Sequence, residues 1–235
     1  MSNNLYVGTS VPTKVYVGTD ECTAIYLGTE KVWSSAPVPP PPPVGTPLSS
    51  LSVGATVKVK ENGAYQNYLL VEQDSTNSIT VLLRIDGFAS TRFDATNYPT
   101  TYSGTEIDTF CTTTFKNYFS QAVQALLRNR DCITQTKSGL VTLQRQCFVP
   151  SYTEYGFNGS EGTVKWFSTN EQRMKGVNYW TRSWSTTITS YEYYYYINSN
   201  GKSVTKNAKS SFSCFPAIAL VNSATVNSNN ELIES

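Results

Sequence analysis

The side chains whose types and spacing most suggest a chemical role lie in one stretch near the C-terminus. Of the 35 residues in 179–213, 22 are Tyr, Ser, Thr or Asn. Tyr offers a broad, fairly rigid contact surface with a polar tip, while Ser, Thr and Asn supply short hydrogen-bonding groups. Their shared chemistry is non-covalent recognition. A Tyr-rich strand pair with no ligand has the same composition, since Tyr and Thr favour pleated, half-buried surfaces.

Twelve side chains of this stretch are predicted to contact a ligand. They are Tyr179, Thr181, Trp184, Ser185, Thr186, Thr187, Tyr191, Tyr193, Tyr195 and, from the other side of a hairpin, Ser211, Phe212 and Ser213. Because strand residues alternate between faces, we expect Tyr193 and Tyr195 on one side and Tyr194 and Tyr196 on the other, with at least one pair in the core. Arg182 is predicted to be a structural ion-pair partner rather than a contact.

The composition argues against catalysis and against metal binding. The chain has no His, which removes the usual acid/base at neutral pH and every Ser-His or Cys-His pairing. Its five cysteines, at positions 22, 111, 132, 147 and 214, show no CxxC spacing, so buried free thiols are expected. We therefore predict no enzymatic activity, no cofactor and no metal.

Charge and hydropathy limit the partners. The net charge is +1 and 15% of the residues are charged, with no basic cluster to mark a nucleic-acid footprint. No stretch approaches the roughly 18 apolar residues of a membrane span. The N-terminus has neither the basic start nor the apolar core of a signal peptide, so we expect a protein that is made in a cytosol and not exported by such a signal.

A decapeptide repeat occupies the N-terminal segment, residues 1–34. The pattern Tyr, aliphatic, Gly, Thr recurs at 6–9, 16–19 and 26–29, and each copy predicts a short strand followed by a turn. Three such strands cannot bury a core alone, so we expect them to pair with other copies of the chain or with a partner in an assembly. A free-standing, partly ordered β-meander is the alternative.

A proline-rich segment, residues 35–47, follows and holds seven of the eleven prolines. Such a sequence favours a semi-rigid polyproline spacer. An SH3-type ligand is less favoured because no Arg or Lys flanks the prolines. Residues 48–235 are predicted to form one domain.

The sequence pattern of that domain predicts the α+β class. Alternating patterns predict strands at 55–60, 68–72 and 79–84, and short strands at 140–143 and 147–150. Apolar residues at helical spacing predict one helix over 106–111, with Ser103 or Thr105 as N-cap, and a second over 118–127. Strands, then two helices, then a long loop-bearing strand region favour the α+β class.

Four motifs carry a family resemblance over residues 53–220. They are Cys-Phe-Val-Pro-Ser-Tyr-Thr-Glu-Tyr-Gly at 147–156, Tyr-Trp-Thr-Arg-Ser at 179–183, Tyr-Ile-Asn-Ser-Asn-Gly at 196–201 and Phe-Pro-Ala-Ile at 215–218. Their order resembles an uncharacterised domain common in gut bacteria and their phages, itself similar to the C-type-lectin-like fold and the formylglycine-generating, sulfatase-modifying group. The resemblance implies a C-type-lectin-like domain of antiparallel sheets with two helices. Trp184 and Phe215 depart from the Pro and Arg that members often carry there.

The resemblance also implies a function. A subset of such domains is similar to the variable proteins of diversity-generating retroelements, in which adenine-directed mutagenesis turns template Asn codons into Tyr, Ser, Thr and other codons. It implies a phage or prophage receptor-binding protein in the virion tail, a trimer, with a diversified face for a host-surface protein or glycan and with repeats that bind other virion proteins. A bacterial cell-surface adhesin and a structural virion protein without a ligand are the alternatives. We find neither the paired cysteines of the sulfatase-modifying relatives nor the Glu-Pro-Asn and Trp-Asn-Asp motifs of calcium-dependent lectins.

Overall fold

The computed structural model describes residues 15–17, 20–21, 24–27, 30–34, 45–96, 99–185 and 193–234. The chain divides into two compact units, residues 1–44 and 45–235. The division falls inside the proline-rich segment. No helix within the described ranges is long and apolar enough to cross a membrane.

The first unit contains two antiparallel strand pairs. Its strands are β1 (Tyr16–Val17), β2 (Asp20–Glu21), β3 (Ala24–Leu27) and β4 (Glu30–Ser34). β1 pairs with β2, and β3 pairs with β4. The second and third repeats therefore each contribute to the first strand of a pair, as predicted, and the residues after each repeat supply the second strand. The first repeat lies outside the described residues.

The second unit contains fourteen described strands and three short helices. The strands are β5 (Thr46–Pro47), β6 (Thr56–Glu61), β7 (Ala64–Asp74), β8 (Ile79–Arg84), β9 (Phe88–Arg92), β10 (Arg130–Thr136), β11 (Gly139–Arg145), β12 (Cys147–Phe148), β13 (Tyr179–Trp184), β14 (Tyr193–Ile197), β15 (Ser203–Asn207), β16 (Ser211–Cys214), β17 (Ala217–Val221) and β18 (Thr225–Val226). The helices are α1 (Glu106–Thr109), α2 (Gln121–Leu126) and α3 (Asn170–Arg173), with a π-helical turn at Phe110–Phe115 and 3₁₀ turns at Leu48–Ser50 and Lys116–Tyr118. The α+β class is confirmed.

The first large sheet is antiparallel, with the order β12-β17-β8-β7-β6. β6 and β7 meet at an Asn-Gly turn, where Asn62 and Gly63 adopt φ of 48° and 84°, the left-handed conformation that such tight hairpins require. Every residue of β8 is buried. A strand that is buried along its whole length is covered on both faces.

Two core layers lie on opposite sides of this sheet. Ile218 and Leu220 of β17 belong to one apolar cluster, while Ala217 and Ala219 belong to the other. The first cluster takes in the helical segment, and the second takes in the loops that follow β12. The sheet is therefore the central layer of the domain.

The helical prediction needs one correction. Thr105 caps α1 by accepting a hydrogen bond from the Asp108 amide, and the chain continues directly into the π-helical turn. The second helix begins at Gln121 rather than at Tyr118, because Ser120 accepts a hydrogen bond from the Val123 amide and so starts it there. The strand predicted over 147–150 is also shorter, since it ends at Phe148.

The second large sheet carries the Tyr-rich region, in the order β15-β14-β13-β16-β9. β13 lies at its centre and pairs antiparallel with β14 and parallel with β16. The hairpin of β14 and β15 closes at Gly201, whose φ is 74°. A Cβ at this position would lie 2.1 Å from the Asn170 carbonyl oxygen, so only glycine fits.

Candidate binding surface

The strand pair β13–β14 ends at the centre of the Tyr-rich region. Trp184 lies opposite Tyr194, and the Ser185 amide donates a 2.8 Å hydrogen bond to the Tyr193 carbonyl. Ser185 and Tyr193 thus bring together the two ends of segment 186–192. Three predicted contacts, Thr186, Thr187 and Tyr191, lie outside the described residues.

Tyrosines on β14 alternate between the two faces as predicted. Tyr194 is fully buried and stacks on Phe93 at a centroid distance of 3.7 Å. Tyr196 packs on Phe212 at 4.3 Å and against the same core cluster. Tyr195 points the other way. Its ring is half-buried and stacks on Tyr152 at 4.2 Å.

Three of the predicted contacts are corrected. Tyr179, Thr181 and Ser185 have no exposed surface, so a ligand at the surface does not reach their side chains. The Tyr179 hydroxyl donates to the Arg173 carbonyl oxygen at 2.6 Å, and the Thr181 hydroxyl donates to the Tyr195 carbonyl oxygen at 2.8 Å. The reason is that β13 is the central strand, and it is packed on both faces.

Trp184 and Tyr195, two of the remaining predicted contacts, line a hollow in the domain surface with a volume of about 470 Å³. We call it the aromatic hollow, and it is lined by Gln135, Tyr152, Asn158, Gly159, Ser160, Glu161, Ser183, Trp184 and Tyr195. Clefts of this size that combine aromatic rings with a few polar groups are typical of ligand sites.

A stack of aromatic rings forms one side of the hollow. Tyr152 lies between Phe157 at 4.7 Å and Tyr195 at 4.2 Å, with interplanar angles of 15° and 25°. The guanidinium of Arg173 lies 4.3 Å from the centroid of Phe157. Since Tyr152 covers one face of Phe157, Arg173 takes the other. We call the three rings the aromatic stack.

Glu161 is the charged residue of the lining, and it is 5% exposed. Its carboxylate accepts hydrogen bonds from the Ser183 hydroxyl and from the Gln135 amide, the second at 2.8 Å. Burial raises the pKa of this carboxyl above its ordinary value. Glu161 also lines a neighbouring polar cavity of about 570 Å³.

Behind the hollow lies a network of buried ions. Arg182 uses all five of its N–H donors, two of them on Glu154 at 2.6 and 3.0 Å and the others on Thr134, Val149 and Ile133. Arg130 bonds Glu154 at 2.6 Å and Glu72 at 2.7 Å. The structural role predicted for Arg182 is confirmed.

The charged groups in this network shift one another's pKa values. Burial by itself raises the pKa of Glu154, but the Arg182 and Arg130 guanidiniums lower it further, to about 2. The two carboxylates also raise the pKa of Arg130. Glu154 is therefore ionised throughout the neutral range and holds β10 and β13 to the loop after β12.

The rest of the predicted contacts form a separate patch. Ser211, Phe212 and Ser213 line a shallow groove of about 470 Å³, together with Ser90, Gly176, Val177, Asn178 and Ser199. Phe212 is half-buried because its ring packs on Trp180 at 4.8 Å. The single face expected from the sequence is therefore divided between the hollow and this groove. Tyr193, the first residue of β14, is half-buried.

Several residues of the hollow were not identified from the sequence. Gln135 comes from β10, and Tyr152, Asn158, Ser160 and Glu161 come from the loop after β12. Tyr152 stands in one of the motifs of the resemblance, yet no local composition marks it as a contact. Only long-range packing brings it to Tyr195.

The four described cysteines, Cys111, Cys132, Cys147 and Cys214, are buried free thiols, as expected. Burial raises the pKa of Cys132 to about 11 and of Cys147 to about 12, so these thiols are not thiolates at neutral pH. Cys22 lies outside the described residues. No cluster of three metal-ligating side chains occurs within the described ranges.

Fold and hollow together define an α+β domain whose surface combines aromatic rings and short polar groups. Residues 67–221, about two thirds of the chain, match the family model described as a domain of unknown function, DUF6273. The chain belongs to this family. No curated protein and no solved structure matches it.

Proposed function

We propose that this protein is the receptor-binding or variable adhesion protein of a phage or prophage. Its C-terminal domain presents the aromatic hollow and the segment 186–192 to a ligand on the host surface, a protein or a glycan. The observation that carries the proposal is the position of the hollow. Its residues Trp184 and Tyr195 lie next to the ends of the Tyr/Ser/Thr segment, at Ser185 and Tyr193.

A division between framework and surface supports this function. Arg182 and Glu154 are buried and fully bonded, while Trp184 and Tyr195, on the same strand pair, are half-buried and line the hollow. A framework held this tightly tolerates changes at its surface positions, since surface substitutions away from such networks cost little stability. A diversified binding protein requires this tolerance.

The C-type-lectin-like fold and the retroelement origin are parts of the same proposal. The four motifs of the resemblance form the loop after β12, the central strand β13, the end of β14 with its hairpin, and the start of β17. Two of these motifs contribute to the lining of the hollow, through Tyr152 and Ser183. The gene supplies the test: a nearby repeat whose mismatches fall only at template adenines supports diversification, and a flanking region with neither repeat nor reverse transcriptase refutes it.

The N-terminal unit is proposed to anchor the protein in the virion tail as a homo-oligomer, with three copies as the resemblance implies. Its strands form isolated two-stranded pairs, which are at best marginally stable alone in water. Light scattering on the full chain measures the number of copies. A monomer at micromolar concentration contradicts this part of the proposal.

Cell binding tests the function directly. We expect the fluorescently labelled full chain to bind some strains in a panel of gut bacteria and not others. Protease treatment of the cells should abolish binding if the receptor is a protein. Periodate treatment, which oxidises sugars, should abolish binding if the receptor is a glycan. Labelling that is equal on all strains, or absent from all, would contradict a receptor-binding role.

A structural virion protein is the second candidate, and the burial of Tyr179 and Tyr194 favours it. In that case the tyrosines serve packing alone. The half-buried Tyr195 and Trp184 in the hollow favour binding instead. A bacterial surface adhesin uses the same hollow, and the genes beside this one distinguish it from a phage protein.

A further inference from the structure

The two ends of the aromatic stack differ in how they are covered. At the inner end, Arg173 stacks its guanidinium on Phe157 at 4.3 Å, and this arginine is 5% exposed. At the outer end, Tyr195 is covered by Tyr152 on one face and is half-buried. Within the described ranges no cation or second ring lies on its other face. The contact between Arg173 and Phe157 at the inner end thus shows which kind of group, a guanidinium, fits on the uncovered face of Tyr195 at the outer end.

The charge of the hollow favours the same kind of group. Among the described residues of its lining, Glu161 is the charged side chain and there is no Lys or Arg. Arg182 is already paired with Glu154, and the Lys165 ammonium donates to the Asn158 side chain at 2.7 Å. Two of the four lone-pair positions of the Glu161 carboxylate are in use, so it retains capacity to accept from a ligand.

Trp184 adds a third ring to the lining of the hollow. Aromatic rings beside a buried carboxylate suit a planar cationic group, since a guanidinium stacks on ring faces and pairs with carboxylates. An arginine side chain is the group in polypeptides that has this chemistry.

We propose that the aromatic hollow binds an arginine side chain of a partner polypeptide, whose guanidinium stacks on the outer face of Tyr195 and pairs with Glu161. This inference rests on the proposed function and specifies its ligand as a protein. Arginine fits better than lysine because its guanidinium is planar, stacks on aromatic rings and offers five donors in a fixed geometry.

Three short peptides test the inference on the full chain. The probes are acetyl-Gly-Arg-Gly-amide and the same peptide with lysine or with citrulline, which is planar but uncharged, in place of arginine. Titrations followed by NMR should show millimolar binding of the arginine peptide, about tenfold tighter than the citrulline peptide and severalfold tighter than the lysine peptide. Equal binding of the arginine and citrulline peptides would overturn the inference.

Variants of Tyr195 locate the site. Tyr195→Phe keeps the ring and should keep the affinity, whereas Tyr195→Leu should weaken binding of the arginine peptide about tenfold. Tyr65→Leu changes a tyrosine that is 43% exposed on β7 and should have no effect. Unchanged binding by Tyr195→Leu, with thermal unfolding like the wild type, would place the arginine elsewhere.

Methyl glycosides of glucose, galactose and N-acetylglucosamine are the competing probes. Binding of one of these, without binding of the arginine peptide, makes the hollow a glycan site and overturns the inference while the receptor-binding function stands. If the arginine peptide binds and the labelled protein binds no bacterial strain, the inference stands and the host-receptor function fails.

Discussion

The buried ion network and the aromatic hollow both include residues of β13, and they differ in how far their bonding capacity is used. In the network, Arg182 uses all five donors and Glu154 accepts from two arginines and a backbone amide. In the hollow, the Glu161 carboxylate accepts only two hydrogen bonds, and Tyr195 has one ring face that no other described ring or cation covers. A region with complete internal bonding is framework, and a region with spare capacity suits a ligand.

Removing a member of the network should have the largest effect on stability. Arg182→Leu leaves Glu154 in the interior with Arg130 alone, and loss of one partner from a buried ion pair costs about 3–5 kcal/mol. Urea unfolding measures the change. Glu106→Gln is the matched control, because its pair with Arg92 is exposed and should contribute about 1 kcal/mol or less. Equal losses in the two variants would contradict the assignment of Arg182 as framework.

Tyr194 and Tyr195 are adjacent in the chain, but one is framework and the other lines the hollow. Tyr194→Ala empties a fully buried site beside Phe93 and should cost about 3 kcal/mol or more. Tyr195→Ala removes one stacking contact with Tyr152 at the hollow and should cost about 1 kcal/mol. The two variants are compared by the same unfolding measurement. If Tyr195→Ala proved the more destabilising, the stack would be part of the framework.

Acid should weaken the network. The pKa of Glu154 is about 2 in the folded protein and near its ordinary value of 4.5 in the unfolded chain. Its contribution is therefore complete above pH 4.5 and is lost as the pH falls towards 2, with a total on the order of 3 kcal/mol. Glu161 behaves oppositely, because its raised pKa means that protonation relieves an unfavourable buried charge.

The pH effect is measured as the difference in unfolding free energy between the wild type and Glu154→Gln at several pH values. We expect a constant difference from pH 7 to about pH 5 and a decreasing one below. A difference independent of pH down to pH 2.5 would show that Glu154 is not held ionised by its arginines.

Two glycines in the loop that supplies both regions test its backbone geometry. Gly156 has φ of 92°, and a Cβ there would lie 1.7 Å from the Phe167 carbonyl oxygen. Gly162 has φ of 90° but only Ile133 nearby, at 3.5 Å. Gly162→Ala should cost about 1 kcal/mol from backbone strain, and Gly156→Ala about 2 kcal/mol or more because the loop must also move. Thermal unfolding of the two variants measures the difference. Equal melting temperatures would contradict the close approach of position 156 to the Phe167 carbonyl oxygen.

The sequence predicted what local patterns determine. The Asn-Gly turn, the alternation of β6 and the apolar run of β8 specify the hairpin and the central strands, and Thr105 marks the start of α1. The alternation of Tyr194 and Tyr195 also follows from strand geometry alone. The start of α2 was missed because Tyr118 and Phe119 continue its apolar pattern, although they precede its cap at Ser120.

The hollow was predicted only in part, because its walls come from distant segments. Composition identified Trp184 and Tyr195, but it also selected Tyr179 and Thr181, which the central position of β13 buries. Glu161 and Tyr152 lie more than twenty residues earlier and carry no local mark of binding. Which polar strand residue faces solvent depends on what packs over the strand, and a local pattern does not contain that information.

We expect the ligand to contact the hollow, and not the groove that Ser211, Phe212 and Ser213 line. The most direct measurement is the dissociation constant of the labelled full chain on a strain that binds it, for the wild type, Tyr195→Ala and Ser211→Ala. Both changed residues lie on strands of the same sheet, and Ser211 is exposed in the groove. We predict at least about tenfold weaker binding for Tyr195→Ala and no change for Ser211→Ala. Unchanged binding by Tyr195→Ala, with its fold intact, would contradict the account.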